Sequence, residues 1–515
     1  MFIKNKKLGK CFAIWNRIQN KHKMKNKNYP FTFNWNASKL LLLFTGLLFN
    51  TPFSKAQVTF EKKYGGVLQE SARSMEIVSD GYLILGSTTT YSAAGDTDVY
   101  IIRTNTLGET LWTKTIGGKG HDVGYSIKAT GDGNFIIAGS SGIDALSNSD
   151  AWLFKIDKDA NVLWSKKYET PGTDVALDIQ KTSDNGFIIT GYTQVGADGN
   201  NAFLWRTDGD GKLIWYKTYG GNKDDEGHSV KQTADGGFIF IGQTYSFGAG
   251  DLDFYVVKTS SDGTIEWTKT YGGIDFDRGQ DLEIISGGYI LTGDTKNYGA
   301  GDYDAYVISI DASGGIIWTK TYGGTDKDIT KMIQKTSDDG YIIAGITRSF
   351  GLINPNMWLI KIKSTGDTTW TRNFGGPNHE HCYYAKQTAD GGYIALGHSV
   401  IAYTPIYDVD IYFLKLNSEG LTAPTGLNDI ALNNNLAVYP NPNSGVFEIQ
   451  LKAENSESLE LQLTDIFGRI IYKEKPTVIN KNYSKNIDIS GISKGIYFLN
   501  FSNSNQHLTK KIVVY

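Results

Sequence analysis

Seven near-copies of one short stretch stand at an almost constant interval, and no other feature limits the fold so tightly. The stretch reads Trp267-Thr-Lys-Thr-Tyr-Gly-Gly273, and equivalent tryptophans stand at Trp112, Trp164, Trp215, Trp318 and Trp370. The six tryptophans are 52, 51, 52, 51 and 52 residues apart, and Phe60-Glu-Lys-Lys-Tyr-Gly-Gly66 is a further copy 52 residues before Trp112. A fixed period near 50 residues marks one supersecondary unit stamped out and stacked, because such a unit cannot bury its apolar face alone.

Within a period the pattern is that of short strands. After Trp215, Ser229-Val-Lys-Gln-Thr233 reads as a strand and Ala234-Asp-Gly-Gly237 as a hairpin turn in which glycine supplies the positive φ. Phe238-Ile-Phe-Ile-Gly-Gln-Thr244 is a second, apolar strand and Phe254-Tyr-Val-Val-Lys258 a third, and Ser261-Asp-Gly263 turns the chain into the Trp267 strand. Four antiparallel strands per repeat without a helical pattern predict a propeller blade. Second strands begin at Tyr82, Phe135, Phe187, Phe238, Tyr289, Tyr341 and Tyr393. The last blade lacks an outer strand and the N-terminus has one spare. Letting residues 60–64 complete the blade begun near Tyr384 closes the ring and removes an exposed edge. The fold expected is all-β: a seven-bladed β-propeller over residues 57–420, its N-terminal strand closing the last blade.

Composition agrees with a turn-rich, aromatic-rich β protein, with Gly 59 and Tyr 30 against only 10 Pro and 5 Met. Residues 1–56 hold 11 of the 51 Lys and Arg and none of the 54 Asp and Glu, so the remainder has 40 basic against 54 acidic residues, a net of −14. An acidic body argues against a nucleic-acid partner, since phosphate binding needs clustered Lys and Arg. Only Cys382 remains beyond Cys11, so no disulfide is expected within the mature chain.

Leu40-Leu-Leu-Leu-Phe-Thr-Gly-Leu-Leu-Phe49 follows many lysines and precedes Ser54-Lys55-Ala56, which reads as a secretory signal over residues 1–56 and is too short to span a membrane. Cleavage is expected after Ala56, with Gln57 as the mature N-terminus. The long basic stretch makes Met24 a candidate start.

Across residues 57–420 the Asp-x-Asp-x-Tyr and Gly-Gly-Tyr/Phe-Ile-Ile-x-Gly elements resemble the seven-bladed propeller repeats of secreted bacterial proteins. Asp208-Gly-Asp-Gly211-Lys-Leu-Ile-Trp215 approximates the docking motif of quinoprotein propellers, but their eight blades and adjacent cysteines are missing, so no quinone is expected. After a polar linker, 421–434, residues 435–515 resemble the C-terminal sorting domain of type IX secretion cargo in Bacteroidetes. The resemblance is carried by Tyr439-Pro-Asn-Pro-Asn-Ser-Gly-Val-Phe447, Leu463-Thr-Asp-Ile-Phe-Gly-Arg469, Gly495-Ile-Tyr497 and Lys510-Lys-Ile-Val-Val-Tyr515. It implies the type IX machinery as a partner and delivery to the outer cell surface or beyond. The alternating runs 459–463 and 496–501 independently predict a small Ig-like β-sandwich.

Counting from the tryptophan exposes two acid positions. Ten residues after it stand Glu70, Asp122, Asp174, Asp225, Asp277, Asp328 and Glu380; fourteen before it stand Asp98, Asp150, Asn201, Asp253, Asp304 and Asn356, with Asp410 aligned as the seventh. Asp-x-Asp loops suit hard ions, which makes Asp251, Asp253, Asp302 and Asp304 the candidate Ca²⁺ ligands. The competing expectation is architectural: what every repeat shares is what makes a repeat, with carboxylates accepting backbone hydrogen bonds. The tryptophans are read the same way, as packing between blades.

Function is then sought where the copies disagree. His379-Glu-His-Cys382 brings two histidines and a thiol into four residues, but no second cluster completes a tetrahedral zinc site. Residues 351–356 and 401–407 break the Gly-Ala-Gly-Asp loop form. The candidate ligand-binding residues are thus His379, His381, Asn354, Asn356, Tyr403 and Tyr407. The leading expectation is a monomeric secreted or surface module that binds a glycan or protein without a cofactor; the alternative is a polysaccharide hydrolase or lyase using acids at the channel mouth.

Overall fold

The computed structural model describes residues 57–514 apart from 93–95, 143–148, 169, 171, 195–198, 352–353, 403–407, 423–435, 442, 453–459, 466–468, 475–481 and 503–506. Ala56 and the segment before it lie outside the described residues, as does the linker from residue 423. Every named element is a β-strand. No helix among the described residues is long and apolar enough to cross a membrane.

Each repeat folds as one antiparallel sheet of four strands. In the fourth sheet they are Asp225–Gln232, Phe238–Thr244, Asp253–Thr259 and Ile265–Tyr271, hydrogen-bonded in that order. Residues 60–416 hold seven such sheets. Six are formed by consecutive residues, 70–116, 121–168, 174–219, 225–271, 277–322 and 328–374. The seventh takes His379–Gln387, Tyr393–Ala402 and Asp408–Leu416 from one end of the repeats and Phe60–Tyr64 from the other. Phe60 lies opposite Lys415 and Tyr64 opposite Ile411, so the spare N-terminal strand pairs the edge that Asp408–Leu416 would otherwise expose.

Burial follows strand position. The middle strands of a sheet are covered on both faces, as in Asp253–Thr259, buried at every residue, which is why they read as unbroken apolar runs. Fourth strands are outermost: Thr368–Phe374 alternates exposed and half-buried positions, and only its tryptophan-bearing side faces protein. Hairpin turns use glycine in the left-handed region, Gly236 at φ 83° and Gly263 at φ 78° in the fourth sheet.

The core lies between sheets rather than within them. Ile239 and Phe254 of the fourth sheet share one cluster with Leu282 and Ile308 of the fifth. Such a cluster joins every consecutive pair. One more joins Ala72 and Ile84 of the first sheet to Ile394 and Phe413 of the seventh, which closes the series on itself. Each fully buried Ile or Phe in these layers contributes about 1.5–3 kcal/mol of transfer free energy, so the neighbour relation carries most of the stability of a sheet.

Residues 436–514 build two further antiparallel sheets. One holds Leu436–Tyr439, Val446–Lys452 and Asn482–Asp488; the other holds Ile470–Glu474, Glu460–Asp465, Gly495–Ser502 and His507–Val514. Strands of both give side chains to a single apolar cluster that includes Phe447, Ile449, Leu461, Leu499 and Ile512.

Candidate functional site

The repeated acids are tied into backbone. Each carboxylate ten residues after the tryptophan accepts the backbone N–H four residues before it: Gly66 to Glu70 at 2.7 Å, Gly118 to Asp122 at 2.8 Å, Thr170 to Asp174 at 3.0 Å, Gly221 to Asp225 at 2.7 Å, Gly273 to Asp277 at 2.7 Å, Gly324 to Asp328 at 2.8 Å and Gly376 to Glu380 at 3.3 Å. All seven acids are buried. Several take a second-strand hydroxyl as well, Thr88 on Glu70 at 2.7 Å and Ser399 on Glu380 at 3.0 Å. These bonds fix the segment that carries the chain from one sheet to the next.

The third-strand acids sit beside them. Asp253 accepts the N–H groups of Ala249 and Gly250 at 3.0 and 3.2 Å, and Asp304 those of Ala300 and Gly301 at 2.7 and 2.9 Å. The first glycine of Tyr-Gly-Gly passes between the two acids of neighbouring sheets: a Cβ on Gly272 would stand 2.0 Å from Asp253 Oδ1 and 2.6 Å from Asp277 Oδ2. Burial pushes the carboxyls of Asp174, Asp253, Asp277, Asp304 and Asp410 above the ordinary range, and Asp253 adds to the rise at Asp277. Asp251 and Asp302 are exposed where Asp253 and Asp304 are buried, so the Asp-x-Asp pairs do not present their carboxylates together. No group of three or more His, Cys, Asp and Glu that could hold a metal occurs among the described residues.

The tryptophan strand hooks onto the next sheet through a second glycine. A Cβ on Gly211 would meet the Trp164 ring at 2.6 Å, and one on Gly263 the Trp215 ring at 2.9 Å. Four residues on from the aromatic position, the tyrosine hydroxyl donates to that glycine's carbonyl: Tyr64 to Gly108, Tyr168 to Gly211, Tyr219 to Gly263, Tyr271 to Gly314 and Tyr322 to Gly366, at 2.5 to 2.8 Å. The tryptophan ring also packs on the second strand of the following sheet, Trp370 edge-on to Tyr393 at 5.4 Å.

The remaining sequence candidates scatter. Asn356 is buried and occupies the third-strand acid position, its amide donating to the Asn354 carbonyl at 2.8 Å, while the Asn354 amide donates to the Pro377 carbonyl. Tyr403 and Tyr407 lie outside the described residues. Gln57, the first described residue, accepts the Ser418 N–H at 2.7 Å. Along His379–Gln387, His379 and His381 are half-buried, whereas Cys382 is fully buried in the core between the sixth and seventh sheets, with its thiol pushed up to about 12 by burial. The thiol and His381 therefore turn to opposite sides of the strand, as the alternation of a pleated chain requires.

His381 does have a histidine partner, from the second strand. Register places it opposite His398, ring centroids 4.9 Å apart. Its Nδ1 is 3.4 Å from the Tyr383 hydroxyl, and the Tyr383 ring is 5.3 Å from His398. Burial and then Lys331 hold His381 down to about 4; burial and then His381 hold His398 down to about 3.

Lys331, which acts on His381 of this pair, lines a cavity that the repeated residues do not mark. Every first strand carries a β-bulge thirteen residues after the aromatic position, where Arg73, Tyr125, Leu177, His228, Gln280, Lys331 and Tyr383 stand unpaired in the ladder. A bulge adds a residue and re-aims its side chain. The next residue stitches the ring together by accepting a backbone N–H of the neighbouring sheet: Asp178 from Val230 at 3.1 Å, Asp281 from Ile333 at 2.9 Å, Ser74 from Ile127 at 3.3 Å. Six of the seven bulge residues, all but Tyr383, line a cavity of about 300 Å³ walled by the first strands of all seven sheets.

The cavity wall is uneven in charge. Arg73 lies between two tyrosines, its guanidinium 5.2 Å from the Tyr125 ring and 5.3 Å from the Tyr383 ring. Lys331 is held down to about 8, first by burial and then by Arg278 and Arg73 against the opposing pull of Asp294. Asp294 itself is buried on Arg278 at 3.1 Å. Across the channel His228 is engaged by Glu226 at 3.0 Å and by the Gly279 carbonyl at 2.7 Å. Three residues further along the strands, Lys231 meets Glu283 at 3.3 Å, and burial pushes Asp281 up to about 6. Thus the positive charge at the strand-entry end is less balanced than that at the other.

Residues 437–515 match the family model of the secretion system C-terminal sorting domain. The protein is accordingly a type IX secretion cargo, exported to the cell surface or the extracellular space, and the sorting domain engages the type IX machinery. Comparison with curated proteins gives no match. Among solved structures the chain is similar to an acylaminoacyl peptidase of Pyrococcus horikoshii, at 10% identity and TM-score 0.39 over 75% of this chain, and it spans only 58% of the peptidase. It is also similar to the PQQ-bound aldose sugar dehydrogenase of Streptomyces coelicolor, at 10% identity and TM-score 0.34 over 70% of this chain and 100% of that one. A subtype N11 neuraminidase-like protein is matched at 10% identity and TM-score 0.31 over 71% and 95% of the two chains. Similarity of this degree carries no argument about activity.

Proposed function

We propose that the mature protein is a monomeric seven-bladed β-propeller, residues 57–420, linked by residues 421–434 to an Ig-like sorting domain from residue 435, and that it acts outside the cell as a binding module. Residues 1–56 are its signal segment, cleaved after Ala56, and its source lies in the Bacteroidetes. The ligand, a glycan or a protein segment, enters the axial channel at the end where the first strands begin.

One observation carries this reading. Side chains that recur in every repeat are spent on the frame, whereas the bulge residues, which differ from sheet to sheet, line the cavity. Repetition builds and divergence selects, as expected when function is added to a stacked scaffold. The repeated acids, each already bonded to a backbone amide, offer no pair poised for hydrolysis, which is why binding is preferred to the hydrolase reading.

A glycan and peptide array probed with the mature protein, with turnover measured in parallel, tests the proposal. Retention without cleavage supports it; steady cleavage of any polymer would replace it with the enzyme reading. For the sorting role, removal of residues 435–515 is expected to leave the protein inside the cell envelope, and normal surface delivery of the truncated chain would refute it.

A further inference from the structure

We infer that the strand-entry end of the channel binds the carboxylate of an acidic sugar, with Arg73 and Lys331 as the charged contacts. This inference rests on the binding reading above and gives the ligand a chemical class.

Arg73 and Lys331 occupy the same bulge position in different sheets, so both enter one cavity although 258 residues separate them. Among the described residues neither forms an ion pair or a hydrogen bond with protein. Lys331 is half-buried in the channel without a counter-ion, which is costly, and proteins keep such a group where a ligand completes it; Arg73 is exposed, so its guanidinium is open to the same ligand. Three cations, Arg73, Lys331 and Arg278, share this end, and the nearby carboxylate of Asp294 is already committed to Arg278. The missing component is an anion.

Its shape is indicated by the donors. A guanidinium presents a planar fork that fits the two oxygens of a carboxylate, and the Tyr125 and Tyr383 rings on either side hold that fork in one orientation. The ammonium of Lys331 adds a point charge. Level with the two cations the wall supplies Gln280, and further along the strands it supplies Gln334, amides that donate to and accept from hydroxyl groups. A cavity of about 300 Å³ accommodates one sugar residue rather than a folded partner. Carboxylate at one end and hydroxyls behind it describe a uronic acid.

Isothermal titration of the mature protein with trigalacturonate, neutral trigalactose and inorganic phosphate tests this, with Arg73→Met and Lys331→Met variants checked for a cooperative melt no lower than that of the parent. The expected result is heat from trigalacturonate only, weakened at least about tenfold by either substitution, the loss of one charge-assisted contact. Equal binding of trigalactose, or trigalacturonate binding untouched by both variants, would overturn the acidic-sugar inference while leaving a binding module in place. Binding of phosphate but not trigalacturonate would overturn the carboxylate assignment. Absence of binding by all three, together with an empty glycan and peptide array, would overturn both readings.

Discussion

Single residues divide into those that hold the ring and those that look into it, and the histidines show why sequence alone does not separate them. His379 and His381 stand out in the sequence because they break a repeat, yet His398, seventeen residues beyond His381, meets it only through strand register. The repeated acids are visible because they recur at a fixed offset. Arg73 and Lys331 are not, because a bulge shifts them out of the two-residue alternation by which inward positions are counted. The histidine pair makes a pH-dependent contribution that can be measured. Both are held below the ordinary histidine value of 6.5: His381 at about 4 by burial and then by Lys331, His379, Arg348 and Lys327, and His398 at about 3 by burial and then by His381 and Arg73. Between pH 6.5 and 4 the unfolded chain therefore binds protons that the folded chain refuses, and stability falls as pH falls through that window. Asp281, pushed up to about 6, acts in the opposite direction there and is common to both proteins compared. Thermal melts at pH 7 and 4.5 are expected to show that His381→Gln with His398→Gln retains about 1–3 kcal/mol that the parent protein loses. An equal loss in both would show that the histidines are not held neutral.

At the scale of elements, one strand performs two tasks through a four-residue offset. In the second, third and fifth sheets its tryptophan covers a glycine of the next sheet and its tyrosine bonds to that glycine's carbonyl, so Trp-x-x-x-Tyr grips a single residue from two directions. The strand pattern was legible because middle strands are apolar on both faces and turns are marked by glycine. The grip was not, since the glycine lies roughly 50 residues ahead, where only the closed packing of sheets brings it near. Tyr271→Phe removes the bond to Gly314 while keeping the ring, and is expected to cost about 1 kcal/mol, read as an earlier urea midpoint at unchanged slope. A midpoint equal to that of the parent would mean water satisfies the carbonyl as well as the hydroxyl does.

Across the whole molecule, the apolar layers between sheets form a series that returns to its start, and the spare strand Phe60–Tyr64 completes the sheet at which the chain's two ends meet. The count of strands announced this closure, because an unpaired outer edge at one end and a surplus strand at the other solve each other. The content of the channel was not announced, since a ring gathers residues whose sequence separations carry no information about distance. Shared residues bear the frame and divergent ones the site, and this division has a consequence for stability. Sites for ligands hold groups that the free fold would be steadier without. Differential scanning calorimetry of the mature protein with Lys331→Met and, separately, Asp225→Ala tests this directly. Removing Lys331, crowded by Arg278 and Arg73, is expected to raise Tm by about 1–2 °C. Removing Asp225, which accepts from Gly221 and Ser246, is expected to lower Tm by several degrees, since buried donors left unpaired cost about 1–3 kcal/mol each. A fall with Lys331→Met as large as that with Asp225→Ala would contradict the division between frame and site.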